Sequence, residues 1–150
     1  MLIDTIQTDL KNAQLDKNEL KVSTLRLLLS EIKYAEIKKN EEDQTLSDDE
    51  TIIVVQKEVK KRKEAADGFR QGGREETAQK EEAEAEILAK YLPKQLTDEE
   101  LNSIIDEAII KTGALGRSDM GRVIGFVMGQ VRGSVDGARV SNLLQKKWST

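Results

Sequence analysis

Neither cysteine nor histidine occurs in these 150 residues. Their absence removes disulfides, thiol nucleophiles, Ser-His-Asp machinery and every zinc site built on nitrogen or sulfur. Acid-base chemistry would then rest on carboxylates and lysines, which here sit in helical charge patterns where a solvated face is the ordinary reading. No catalytic residue, metal site or cofactor is therefore expected. Aromatic residues make up only 3% of the chain, too few for the stacking platforms that bind single-stranded nucleic acid. No apolar run approaches the roughly twenty residues of a membrane span, and residues 1 to 12, "MLIDTIQTDLKN", have neither the basic flank nor the apolar stretch of a secretory signal. These absences lead to the expectation of a cytoplasmic protein without a membrane partner.

What is present reads as a globular chain, with 35% charged and 37% hydrophobic residues, long enough for one good core or two small helical units. The net charge of −4 is unevenly spread. Residues 112 to 150 hold six basic residues (Arg117, Arg122, Arg132, Arg139, Lys146, Lys147) against two acidic ones (Asp119, Asp136), a net +4 that leaves −8 on residues 1 to 111. A basic end on an acidic chain points to a polyanionic partner at that end.

Hydrophobic periodicity predicts helices throughout. Ile3, Ile6, Leu10 and Ala13 form one stripe, and after the polar "DKNE", Val22, Leu25, Leu28, Leu29, Ile32 and Ala35 form a longer one. Ser47 and Glu50 make a capping box ahead of Ile52, Val55, Val59, Ala66 and Phe69, in a helix that should stop at Gly72-Gly73. The box decides for helix over "TIIVVQ" at 51 to 56, which propensity alone leaves ambiguous. Residues 74 to 92 are rich in alanine and glutamate with a thin apolar face of Ala78, Ala85, Leu88 and Leu92, and so are expected to pack weakly or stand partly clear of the body. Pro93 ends that helix.

"PKQLTDEEL" is the best boundary, because Thr97 and Glu100 form a second capping box and Leu96 and Leu101 occupy the positions of a hydrophobic staple. Beyond it the pattern predicts helices over about 98 to 112, 119 to 132 and 137 to 148, with Ser118 as the N-cap of the second. The expected architecture is all-α, an N-terminal four-helix domain over 1 to 93 and a small three-helix C-terminal domain over 94 to 150.

Within "DMGRVIGFVMGQVRGSVDGARV" a glycine stands at every fourth position from Gly121 to Gly137. Gly133 and Gly137 suit punctuation, the first a left-handed helix end, the second a helix start after Asp136. Gly121, Gly125 and Gly129 instead share one helix face beside the apolar stripe, at about 1 kcal/mol each relative to alanine. Two uses fit that smooth face. A neighbouring helix packs closely over it, or a sugar-phosphate chain approaches the bare backbone with Arg122 and Arg132 at the margins. A second basic run, Lys57, Lys60, Lys61, Arg62 and Lys63, is either a solvated helix face, given the i,i+4 pair Glu58 and Arg62, or a second anion-binding patch. "GFRQGGREE" lacks the lysine and hydroxyl of a phosphate loop, and Glu75 and Glu76 would repel an anion there.

"EVKKRKEAADGFRQGGREETAQKEEAEAEILAKYLPKQLTDEEL" followed by "DMGRVIGFVMGQV" resembles the YqeY family, whose domain is also the C-terminal tail of the B subunit of the tRNA-dependent aspartyl/glutamyl amidotransferase. The resemblance implies the helical two-domain fold and a tail that helps bind tRNA, with glutamine-dependent amidation left to other domains. "VMGQVRG" is similar to the Gly-Gln-Val-Met-Lys of that tail, which puts Gly129, Gln130, Val131 and Arg132 where it approaches RNA. The segment "GSVDGA" departs from the family in being less positive at Ser134 and Ala138. The expected function is that of an accessory protein without its own catalytic site, binding tRNA or another structured RNA, with an amidotransferase or synthetase as protein partner. Its candidate contacts are Arg117, Arg122, Gly125, Gly129, Gln130, Arg132, Arg139, Lys146 and Lys147. The rival is a helical protein-interaction module for a translation or amidotransferase partner.

Overall fold

A computed structural model describes residues 1–39, 42, 44–131 and 133–149. It is all-helical, with no strand among the described residues: α1 (Leu2–Leu15), α2 (Glu19–Lys38), α3 (Asp48–Gln71), α4 (Glu75–Ala89), α5 (Asp98–Thr112), a 3-10 turn (Arg117–Asp119), α6 (Met120–Gln130) and α7 (Gly137–Lys147). These fall into two compact units, Met1–Leu92 and Pro93–Thr150.

In the first unit the apolar stripes converge as their spacing requires. Ile6, Leu25, Leu28, Ile32, Val55, Val59, Ala85 and Leu88 form one buried cluster. "TIIVVQ" is helical within α3, whose start is fixed from both directions: Ser47 Oγ accepts from Glu50 N–H, and Glu50 Oε1 accepts from Ser47 N–H, each at 3.2 Å. The hydrogen bond from Lys39, with those from Ser47, holds the Glu50 carboxyl below the usual carboxylate range. At the other end α3 is capped by Gly72, and Gly73 turns the chain with φ of +78°.

The weak packing expected of α4 is not observed. Ala78, Ala85 and Leu88 are buried, and α4 forms an antiparallel hairpin with α3. Small alanine side chains let the two backbones approach, and arginines of α3 reach the glutamates that made α4 look solvated. Arg70 meets Glu75 at 2.9 Å and Glu82 at 2.6 Å, while Arg62 lies 3.2 Å from Glu84 and 3.9 Å from Glu81. Glu58, 4% exposed, completes that cluster with Lys61 at 3.3 Å and Arg62 at 3.8 Å. The basic run on α3 is thus partly internal, with Arg62 turned into the helix seam.

The second unit is built around Leu101, Ile105, Ala108, Val123, Val127, Val131, Val135, Val140 and Leu144. Thr97 caps α5 by accepting from Glu100 N–H at 3.1 Å, and Leu96 packs against the cluster that contains Leu101, as a staple should. The chain leading into α5 is tied to the α6–α7 turn: Leu96 N–H donates to the Ser134 carbonyl and the Gln95 amide to that of Gly133. Gly113 and Gly133 carry φ of +69° and +75°, so both connections turn through left-handed glycine. Ser118 does not cap α6. The chain enters that helix through the 3-10 turn because Asp119 Oδ2 accepts from Leu115 N–H at 2.9 Å, which draws the preceding loop back over the helix start. Asp136 caps α7 through Ala138 N–H.

Candidate nucleic-acid interface

Helix α6 turns Val123 and Val127 into the core and leaves Gly121, Gly125 and Gly129 on its exposed face. A Cβ built on any of those three glycines would meet nothing within 4 Å. Among the described residues the close helix packing that would offset three glycines is therefore absent, and the face is bare backbone along about 12 Å of helix. Arg122 lies on this side with its side chain 57% exposed, held loosely by Asp119 at 3.4 Å. Gln130 is exposed at the end of the same helix. Arg132 lies outside the described residues.

The other cations divide into two groups. Arg139 donates from two nitrogens to Asp98 Oδ1, at 2.9 and 2.6 Å, and Lys147 donates to Asp106 at 2.7 Å. Both are joined to α5. Their equal offset, with each acid 41 residues before its base, shows α5 and α7 running parallel. By contrast Arg117, in the 3-10 turn, and Lys146, on α7, have no ion pair among the described residues, and they line one open surface depression with Asn142, Gln145 and Ser149. The structure thus gathers Arg117 with Lys146 and sets Arg122 beside Gly125 and Gly129, while committing Arg139 and Lys147 elsewhere.

Asn142, Gln145 and Ser149 were not among the residues singled out from sequence. The signal was available in principle, since 142, 145 and 146 recur at i, i+3 and i+4 on one face of α7 and 149 follows just beyond its end. The basic balance of the chain's end also shrinks once the unit is known, because α5 contributes five acids: Pro93–Thr150 holds eight basic residues against seven acidic ones. No group of three histidine, cysteine or acidic side chains suited to a metal is found among the described residues. No helix there is long and apolar enough to cross a membrane.

A bundle of short capped helices with an exposed glycine face is the class that the architecture defines. The chain belongs to the YqeY-like protein family, which matches residues 3–148. Among curated proteins it is similar to the "altered inheritance of mitochondria protein 41, mitochondrial" of Pyrenophora tritici-repentis, 31% identical over 98% of this chain and 78% of that protein. The protein of the same name from Eremothecium gossypii is 36% identical over 58% of this chain and 46% of its own length. An uncharacterised protein of Schizosaccharomyces pombe is 36% identical over 51% of this chain and 59% of its own. The alignments with these last two thus span only about half of each relative.

These names overturn the cytoplasmic location expected from the sequence, since relatives from several fungi are designated mitochondrial. The expectation rested on the absence of a basic flank and an apolar run, which are marks of secretory signals. Mitochondrial targeting uses a different signal, an amphipathic and arginine-rich segment, so the lack of a secretory signal does not make a protein cytoplasmic.

Proposed function

We propose that the C-terminal unit binds structured RNA, tRNA in the first instance, by charge and shape. The observation that carries this reading is the open glycine face of α6. Three glycines in a helix cost about 1 kcal/mol each, nothing among the described residues packs over them to offset that, and bare backbone beside an arginine lets a sugar-phosphate chain come close. Arg122, Arg117 and Lys146 supply phosphate contacts, with Gly125, Gly129 and Gln130 as the surface of approach. Such contacts position an RNA without reading its sequence. The chain acts in this reading as an accessory protein with no catalytic centre of its own, related in role to the amidotransferase tail. Met1–Leu92 and Pro93–Thr150 act as separately folding four-helix and three-helix domains.

The test is tRNA retention on filters across a salt series. About three phosphate contacts give a log-log slope of about −2 to −3. Arg122→Glu should weaken binding further without loss of helicity, whereas reversing Lys60 and Lys61 should matter little, since neighbouring glutamates already balance that run. Salt-independent or undetectable binding by the wild-type chain would sink the reading. The interaction-module alternative has its own observation, the exposed Leu27, Tyr34 and Ile37 along α2. It takes over if partners captured from lysate survive ribonuclease and are lost on Tyr34→Ser with Ile37→Ser.

A further inference from the structure

We infer that the depression between the 3-10 turn and α7 is a subsite for a phosphomonoester, the terminal phosphate of an RNA, and not a further contact to its backbone. The inference rests on the RNA reading above and adds to it the chemical group that this one place receives. Arg117 and Lys146 line the depression and neither has an acidic partner among the described residues. Arg139 and Lys147 of the same unit are paired with Asp98 and Asp106, whereas these two cations share one depression and are committed to no acid among the described residues. The amide side chains of Asn142 and Gln145 lie on the same wall, exposed, with no hydrogen bond to another described residue.

Charge and donor number select among phosphates. A phosphomonoester carries about −1.5 to −2 charges at neutral pH and three strongly accepting oxygens. A diester in an RNA backbone carries a single charge shared by two free oxygens. Two cations with two neutral amides match the first better than the second. The depression, about 410 Å³, falls in the range of small-ligand clefts and is wide enough for a terminal nucleotide.

One feature opposes an anion here. The depression lies at the C-terminal end of α7, where the helix dipole is negative. The structure blunts that field locally: Ser149 Oγ donates to the Lys146 carbonyl at 3.1 Å, covering one of the oxygens that would face the ligand, and Lys146 and Lys147 occupy the last turn. Asp119, the nearest acid in sequence to Arg117, is turned to Leu115 N–H and Arg122.

The experiment compares the full chain binding one tRNA with its 5′-phosphate intact and after phosphatase treatment. Removal of the phosphate should weaken wild-type binding about tenfold. Lys146→Gln and Arg117→Gln should bind both forms alike, while Lys111→Gln, an exposed charge outside the depression, should keep the preference, with circular dichroism confirming that all three variants stay folded. Equal wild-type affinity for the two RNAs would overturn the inference and leave the RNA reading standing. If neither RNA binds, the RNA reading fails, and adenosine 5′-monophosphate decides the site: shifts of the Asn142 and Gln145 side-chain amide resonances that vanish in Lys146→Gln keep a phosphomonoester site, and their absence overturns it. Binding of a phosphoserine peptide in preference to both RNAs would overturn the assignment to RNA.

Discussion

Gly125 separates two physical demands that usually coincide. On an exposed helix face with nothing within 4 Å of the missing Cβ, alanine fits without strain and lowers the entropy of the unfolded chain. Gly125→Ala should therefore stabilise the chain by about 0.5 to 1 kcal/mol, read as a rise in Tm. Gly125→Leu should also leave the fold intact, yet weaken tRNA binding by raising a side chain where a backbone should approach. A fall in Tm for both variants would mean that the face is filled after all. Arg139→Gln should give the reverse pattern, a small loss of stability from its two hydrogen bonds to Asp98 with little effect on RNA binding. The residues' types and helix faces were legible in the sequence. Their commitments were not, because Asp98 and Asp106 lie 41 residues from their partners and only the parallel course of α5 and α7 brings them together.

Helix starts were legible because caps are local chemistry. Ser47 with Glu50, Thr97 with Glu100, and Asp136 all act within three residues of themselves, and all three form as their spacing predicts, although at Thr97 only the forward bond is made. Thr97→Ala should cost about 1 kcal/mol, measured by urea unfolding. Ser118 does not cap α6 because it lies inside the 3-10 turn Arg117–Asp119, and Asp119 folds the preceding loop back by accepting from Leu115 N–H. Helix α4 was misjudged for a different reason. Its glutamates look solvated in sequence, but Arg62 and Arg70 face them across the hairpin.

The α3–α4 seam predicts a pH dependence with a definite sign. Burial, and then the neighbouring Glu81 carboxylate, push the Glu84 carboxyl up, against the pull of Arg62 and Lys80. A carboxyl whose folded pKa is raised binds its proton more tightly folded than unfolded, so it adds stability as pH falls from neutrality toward the ordinary glutamate range and withdraws it as pH rises. Glu84→Gln removes the charge but keeps the shape. It should raise Tm at pH 8, within about 1 kcal/mol after solvent screening, and the gain over wild type should shrink toward pH 5. Arg62 keeps Glu58 and Glu81 in that variant, so a fall in Tm at pH 8 would show that the Arg62–Glu84 contact outweighs the burial of its charge.

At the scale of the whole chain, the sequence's unevenness of charge and its division into two units have to be considered together. Counted along the chain, residues 112 to 150 are strongly basic; counted over Pro93–Thr150, eight basic residues nearly balance seven acidic ones, and affinity for a polyanion then depends on placement more than on net charge. If that unit folds by itself, residues 94 to 150 should give a helical circular dichroism spectrum with a cooperative, low-temperature melt, since so small a core leaves little stability. The buried cluster from Leu101 to Leu144, the Thr97 cap and the Gln95 and Leu96 bonds to the α6–α7 turn all lie inside it. The same piece should retain the salt dependence of the full chain toward tRNA, because Arg117, Arg122 and Lys146 are all within it. A folded fragment that has lost binding would move the RNA-contacting surface into Met1–Leu92, and a fragment with a coil spectrum would show that the three helices need the rest of the chain to complete their core.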